Sequence, residues 1–213
     1  MYTALLIVQL ILGNFVVGSY IWLAFFSNIS SEELEVFWAD LSPTNHRTIF
    51  ITWFCSMVLT VVSFLYMTFM FVFQYDESVF VFDVSFNQNR QYLLACYVVF
   101  LLSATAWAPL TLYSIRNGTF KFLVIICLWI TALASVGFAV FVYNTAANTI
   151  DSTTTLTLLK IGVVIIVFHH VFLDAIFWVS TFNPTEGAAL LSIDKPSFTA
   201  FIEERKKGDL TFI

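Results

Sequence analysis

Three residues in the last apolar stretch of this chain have types and spacing that could do chemistry: His169, His170 and Asp174. They lie within 156–182, a run otherwise dominated by Ile, Val, Leu and Phe. His170 and Asp174 are four apart, so an α-helix places them on one face, with Trp178 one turn further on. An imidazole beside a carboxylate can handle a proton or ligate a metal ion. Adjacent helix positions point about 100° apart. One histidine of the pair is therefore expected to enter a site with Asp174, and the other to touch a neighbouring helix. A zinc site made from all three is expected to be short of ligands and splayed.

The environment sharpens the question. An ionised carboxylate turned towards lipid costs about 3 kcal/mol on insertion scales. Asp174 is therefore expected to face the interior of a helix bundle. Depth along the other apolar stretches selects its partners: His170, Ser19, Ser56 and the indole N–H of Trp107, with His169 beside them. Other polar residues fall into stripes at helical spacing: Ser56, Thr60 and Ser63; Cys96, Ser103, Trp107 and Thr111; Cys127, Thr131 and Ser135; Asn14 and Gly18. Small and hydroxyl residues spaced in this way mark helix–helix contact in membranes. Lys160 is expected to reach the headgroups along its own stem.

The elements that must position these residues are five apolar stretches, 2–26, 49–74, 91–113, 120–143 and 156–182. Each has the roughly 20 residues that an α-helix needs to cross a bilayer, and only self-bonded helices satisfy their backbone there. The expected fold is all-α, a polytopic transmembrane bundle over 1–182 followed by a tail at 183–213. Of the 213 residues 60% are hydrophobic and only 11% charged, against about 25% charged in soluble domains. The net charge of −5 offers no basic stripe, which sets nucleic acid aside. Cys55, Cys96 and Cys127 all fall inside the stretches and read as packing residues rather than a disulfide framework. The first stretch has no basic residue ahead of it, so it is expected to be a retained span.

Positive charge places Arg47, Arg116, Lys121, Lys195, Arg205, Lys206 and Lys207 on one side, with only Arg90 in the second connection. This predicts an outer N-terminus and a cytoplasmic C-terminus. Asn28 and Asn117 head N-x-S/T sequons on the expected inner side and should carry no sugar. Tyr20, Trp22, Trp53, Tyr113 and Trp178 are expected in one interfacial aromatic belt, and Tyr2, Tyr75, Tyr92 and Tyr143 in the other; Trp107 and Trp129 lie deeper and are expected to pack between helices. In the acidic first connection, Phe37 and Trp38 are expected to dock at the headgroups. Val79–Phe82 reads as a short extended piece. In the tail, Phe198, Phe201 and Ile202 share one face of an expected interfacial helix.

Several chemistries are excluded by what is missing. Bis-histidine haem and di-iron hydroxylase sites need histidines from more than one stretch. No G-x-S-x-G elbow, phosphate-cradling loop or TVGYG filter occurs. The run Trp107-Ala108-Pro109 followed by Leu112-Tyr113, on a five-span chain with an outer N-terminus, resembles the tryptophan-rich translocator proteins. No site residue is carried over from that resemblance. The leading expectation is a non-enzymatic subunit or scaffold of a membrane assembly, partnered by lipid and by other membrane subunits or by itself. The alternatives are a small transporter, channel or ligand-binding bundle using the His–Asp cluster, and an intramembrane lipid-modifying enzyme. The sequence specifies no cofactor.

Overall fold

Runs rich in Val, Ile and Phe would suit strands in water. The computed structural model folds them as helices, the form in which apolar runs of this length satisfy every backbone amide without solvent. It describes residues 2–38, 47–73, 84–144 and 153–182, among which no strand occurs. The helices are α1 (Tyr2–Ile21), α2 (Ser31–Phe37), α3 (Arg47–Phe73), α4 (Val84–Asn117), α5 (Lys121–Asn144), α6 (Thr153–Val167) and a terminal turn, α7 (Val179–Thr181). A π-helical turn, Trp22–Phe26, extends α1, and a π-helical segment, Phe168–Trp178, joins α6 to α7.

Five helices are long and apolar enough to cross a membrane: Ala4–Phe26, Ile51–Phe71, Gln91–Asn117, Lys121–Asn144 and Thr153–Thr181. They match the expected stretches, with the third running four residues further and the fifth starting three earlier. Their outward faces carry large apolar side chains; Phe25, Phe122 and Leu133 are 76, 71 and 66% exposed, a surface suited to acyl chains rather than water. Val79–Phe82 and the tail from Asn183, with its expected interfacial helix, lie outside the described residues. So does His46. Arg90 belongs to α4 rather than to a connecting loop.

Packing brings α4 along α5, α1 against α4, α3 against α6, and the α6 rod against α5. The polar stripes on α4 and α5 meet: Thr131 Oγ1 donates to Ser103 Oγ at 2.8 Å, and Cys127 Sγ to the Ser103 carbonyl at 3.0 Å. Close approach is built in at Gly137, where a Cβ would lie 2.6 Å from Cys96 Sγ. The α4–α5 turn uses Gly118 and Phe120 at positive φ, and Ser114 Oγ holds the Thr119 carbonyl at 2.5 Å.

The core divides into two layers. Towards the face where α1 begins, Leu5, Phe64, Met67, Tyr97, Phe100, Phe138 and Phe141 pack with Leu159 and Ile166. Towards the face carrying α2, Leu23, Phe37, Trp53, Trp107, Leu112, Val124, Trp178 and Phe182 form the second layer.

Helix α2 corrects two expectations. It starts with a capping box, in which Ser30 Oγ accepts from the Glu33 amide at 3.1 Å and Glu33 Oε2 accepts from the Ser30 amide at 2.9 Å. The helix folds back over the bundle instead of resting on headgroups. Phe37 is fully buried, its ring edge-on to Trp107 at 5.0 Å, and its carbonyl accepts from Trp178 Nε1 at 3.2 Å. Trp53 and Trp178, expected in an interfacial belt, are 3 and 1% exposed. Burying aromatic area under α2 while finding each indole N–H an acceptor outweighs the belt position.

Candidate functional site

The π-helical segment contains His169, His170 and Asp174. π-Helical stretches are rare, mostly single turns, and concentrate at functional sites. In an α-helix, residue i+5 is rotated by about 140° from residue i. The i→i+5 bonding of a π-helix widens the turn, so positions four and five apart flank one another. His170 Nδ1 lies 2.9 Å from Asp174 Oδ2, a hydrogen bond, and His169 Nε2 lies 3.6 Å from the same oxygen. Both imidazoles therefore converge on one carboxylate. The expectation of a splayed set assumed α-helical angles and is corrected, whereas His169 does touch a neighbouring helix, as expected, at Trp53 on α3.

The remaining carboxylate oxygen is held from another helix. Trp53 Nε1, on α3, donates to Asp174 Oδ1 at 2.9 Å. The rings close in from the two core layers: Trp53 stands 5.5 Å from His169, Phe100 edge-on 4.9 Å from His170, and the two imidazoles edge-on at 5.0 Å. The centre thus lies at the junction of the layers. Asp174 and His170 keep 14 and 12% side-chain exposure, while His169 keeps 3%. The centre is closed at His169 and less so along its His170–Asp174 edge.

The other sequence-selected residues lie apart from the carboxylate. Trp107 is buried, against Tyr20, Phe37 and Trp178, and its Nε1 has no hydrogen-bond partner among the described residues. Ser19 Oγ donates to its own helix, at the Val16 carbonyl. Ser56 is buried on α3, three residues beyond Trp53, and has no bond to Asp174 among the described residues. The indole that serves Asp174 is Trp53's. Sequence placed Trp53 in the interfacial belt and missed this role; the available signal was that Trp53 and Ser56, three apart, share a helix face. Further buried polar atoms without partners among the described residues are His169 Nδ1, His170 Nε2, Gln9 Oε1, Thr60 Oγ1 and Thr111 Oγ1.

No protein-family model matches the chain, and neither a curated protein nor a solved structure does. The resemblance to the tryptophan-rich translocators accordingly gains no support beyond its few residues, and function has to be argued from the site.

A second polar constellation lies at the ends of the first and third spans and was missed from sequence. Arg116, in the last turn of α4, holds Glu33 through Nε at 2.7 Å and Nη2 at 3.2 Å, and Nη2 also donates to the Ser27 carbonyl at 2.8 Å. One guanidinium thus ties α2 to the end of the first span. Burial pushes the Glu33 carboxyl up, but the hydrogen bonds from Arg116 and the Ser30 amide, with the Arg116 charge, outweigh it and hold Glu33 below its ordinary value. The Ser30-x-x-Glu33 spacing was its only sequence signal.

Proposed function

We propose that this chain is an integral multi-pass membrane bundle that binds a small cation at the His169–His170–Asp174 centre, as a transporter or ligand-binding protein does. The observation that carries this reading is the convergence of two imidazoles on one Asp174 oxygen inside a π-helical segment. Packing alone does not ask for it. A carboxylate in the span adds cost, and apolar residues of similar volume would fill the same space without it. Ionisable groups kept within a span mark ion and substrate sites. An enzyme reading finds less support, because the centre offers no nucleophile beside its imidazoles and carboxylate.

The test is flux. Full-length protein in liposomes is expected to pass cations down an imposed gradient. Asp174→Asn, with helical content and monodispersity retained, should reduce that flux by about tenfold or more. Zero flux for a panel of monovalent and divalent cations with the wild-type protein would sink the transport reading.

A different observation supports a second reading, a subunit of a membrane assembly. The first span is the least buried of the five, and Asn14 sits exposed at its middle. Among the described residues its amide bonds only within its own helix, to the Leu10 carbonyl. An amide in hydrocarbon gains from a partner helix. The two readings are compatible, since a cation-binding bundle can also be one subunit of several. Disulfide crosslinking of Val17→Cys, exposed on the same face with Asn14 kept, tests the second in native membranes: a crosslinked species is expected, and its absence overturns it.

A further inference from the structure

The proposed cation site can be assigned a chemical class, an inference that rests on the reading above and goes beyond it. We propose that the centre takes a first-row divalent transition metal, Zn2+ or a neighbour of it, on His169 Nε2, His170 Nδ1 and Asp174 Oδ2.

Three observations lead there. The first is separation. Two ligand atoms each about 2.1 Å from one ion lie about 3.0–3.6 Å apart for angles between 90° and 120°. The two nitrogens stand 2.9 and 3.6 Å from Asp174 Oδ2, and a donor atom from each of the three residues lies within 4.8 Å of the others. An ion about 2.1 Å from every donor needs each pair within about 4.2 Å, so ion entry includes side-chain rotation that draws the donors together.

The second is His169 itself. It is 97% buried (3% exposed), yet Nε2 at 3.6 Å is too far from the carboxylate for a hydrogen bond, and Nδ1 has no partner among the described residues. A buried imidazole without a hydrogen bond lacks compensation for its lost hydration. Metal ligation at Nε2 supplies it.

The third is the donor set. Two imidazole nitrogens and one carboxylate oxygen suit Zn2+, Fe2+, Co2+ and Ni2+. Ca2+ and Mg2+ want all-oxygen shells, and alkali ions gain little from imidazole. Three protein ligands leave a position open for a water, an anion or a passing substrate.

The outer shell says how tightly the ion is held. Trp53 Nε1 fixes Asp174 Oδ1, which leaves Oδ2 turned to the imidazoles. The far nitrogens, His169 Nδ1 and His170 Nε2, have no partners among the described residues to lock the rings. Ligating histidines in permanent sites donate that N–H to a carboxylate or carbonyl, and such partners contribute about 10–100-fold in affinity. The centre is therefore built for an exchangeable ion.

The experiment uses the full-length protein in detergent, stripped of metal and titrated with Zn2+. Expected are one equivalent bound per chain and a zinc X-ray absorption spectrum with two imidazoles and an oxygen in the first shell. His169→Ala and His170→Ala should each weaken binding by about tenfold or more, and His46→Ala should leave it unchanged. The spectrum needs no variant, so the assignment stays testable if one fails to fold. Absence of stoichiometric uptake, a first shell without two imidazoles, or binding lost with His46→Ala would overturn it. Failure of this proposal and failure of the transport reading separate cleanly. Alkali-ion flux without Zn2+ uptake sinks the metal assignment alone, Zn2+ uptake without flux of any cation sinks transport alone, and neither uptake nor flux sinks both.

Discussion

The apolar layer around Phe138 and the layer junction around Asp174 obey different rules. Around Phe138 the bundle is filled by aromatic and aliphatic rings in tilted and edge contacts near 5 Å, with Phe64, Tyr97 and Phe100 at 5.8, 5.1 and 5.3 Å. A side-chain pair within it is the Thr68–Tyr97 hydroxyl contact at 2.9 Å, between two residues that are both buried. Around Asp174 the rod is π-helical, a carboxylate has three polar neighbours on two helices, and buried nitrogens go without partners among the described residues. The first layer is what a membrane bundle needs in order to hold together. The junction of the layers around Asp174 carries polar groups that stability alone would remove, and that difference is the strongest pointer to where function resides.

The comparison breaks if the layers respond alike to substitution. Phe138→Ala empties a fully buried position and is expected to cost about 3–5 kcal/mol, read as a lower unfolding midpoint in detergent, with Zn2+ affinity in the surviving fold unchanged. If metal uptake falls with it, the layers are not separate. Trp53→Phe keeps the ring but removes the donor to Asp174 Oδ1. It should weaken Zn2+ binding by about tenfold, roughly 1.4 kcal/mol, while moving the unfolding midpoint less than Phe138→Ala does.

Smaller effects sharpen the picture at its edges. Glu33→Gln breaks the tie between α2 and the end of α4. With Arg116 40% exposed, the pair is screened, and the cost is about 0.5–1 kcal/mol. Its pH dependence has a definite sign. Because the folded Glu33 carboxyl is held below its ordinary value, its contribution is complete above about pH 4.3 and is lost as the pH falls further. Wild-type stability should therefore drop more steeply on acidification than that of Glu33→Gln. Parallel curves would show that the pair contributes nothing. Thr68→Val removes the hydroxyl pair in the apolar layer and should cost about 0.6 kcal/mol, the mean for such bonds in membranes.

Composition and the length of apolar runs determined the class of this protein, since a backbone in hydrocarbon has few ways to satisfy its amides. The five spans were legible to within a few residues for that reason, and so was the need for Asp174 to turn inward. Spacing also singled out His170 with Asp174, because residues four apart share a face in either helix type. Sequence alone did not decide which partners would meet the carboxylate. Depth selected Trp107, Ser19 and Ser56, but azimuth decides contact, and azimuth depends on how α3 rotates against α6 and on a local change of helix type. The π-helical turn brought His169 in, the rotation of α3 presented Trp53, and the fold-back of α2 buried Phe37 and Trp178. Those are properties of the packed whole. Each is set by contacts between residues roughly a hundred positions apart or by a turn geometry that no single residue in the run dictates.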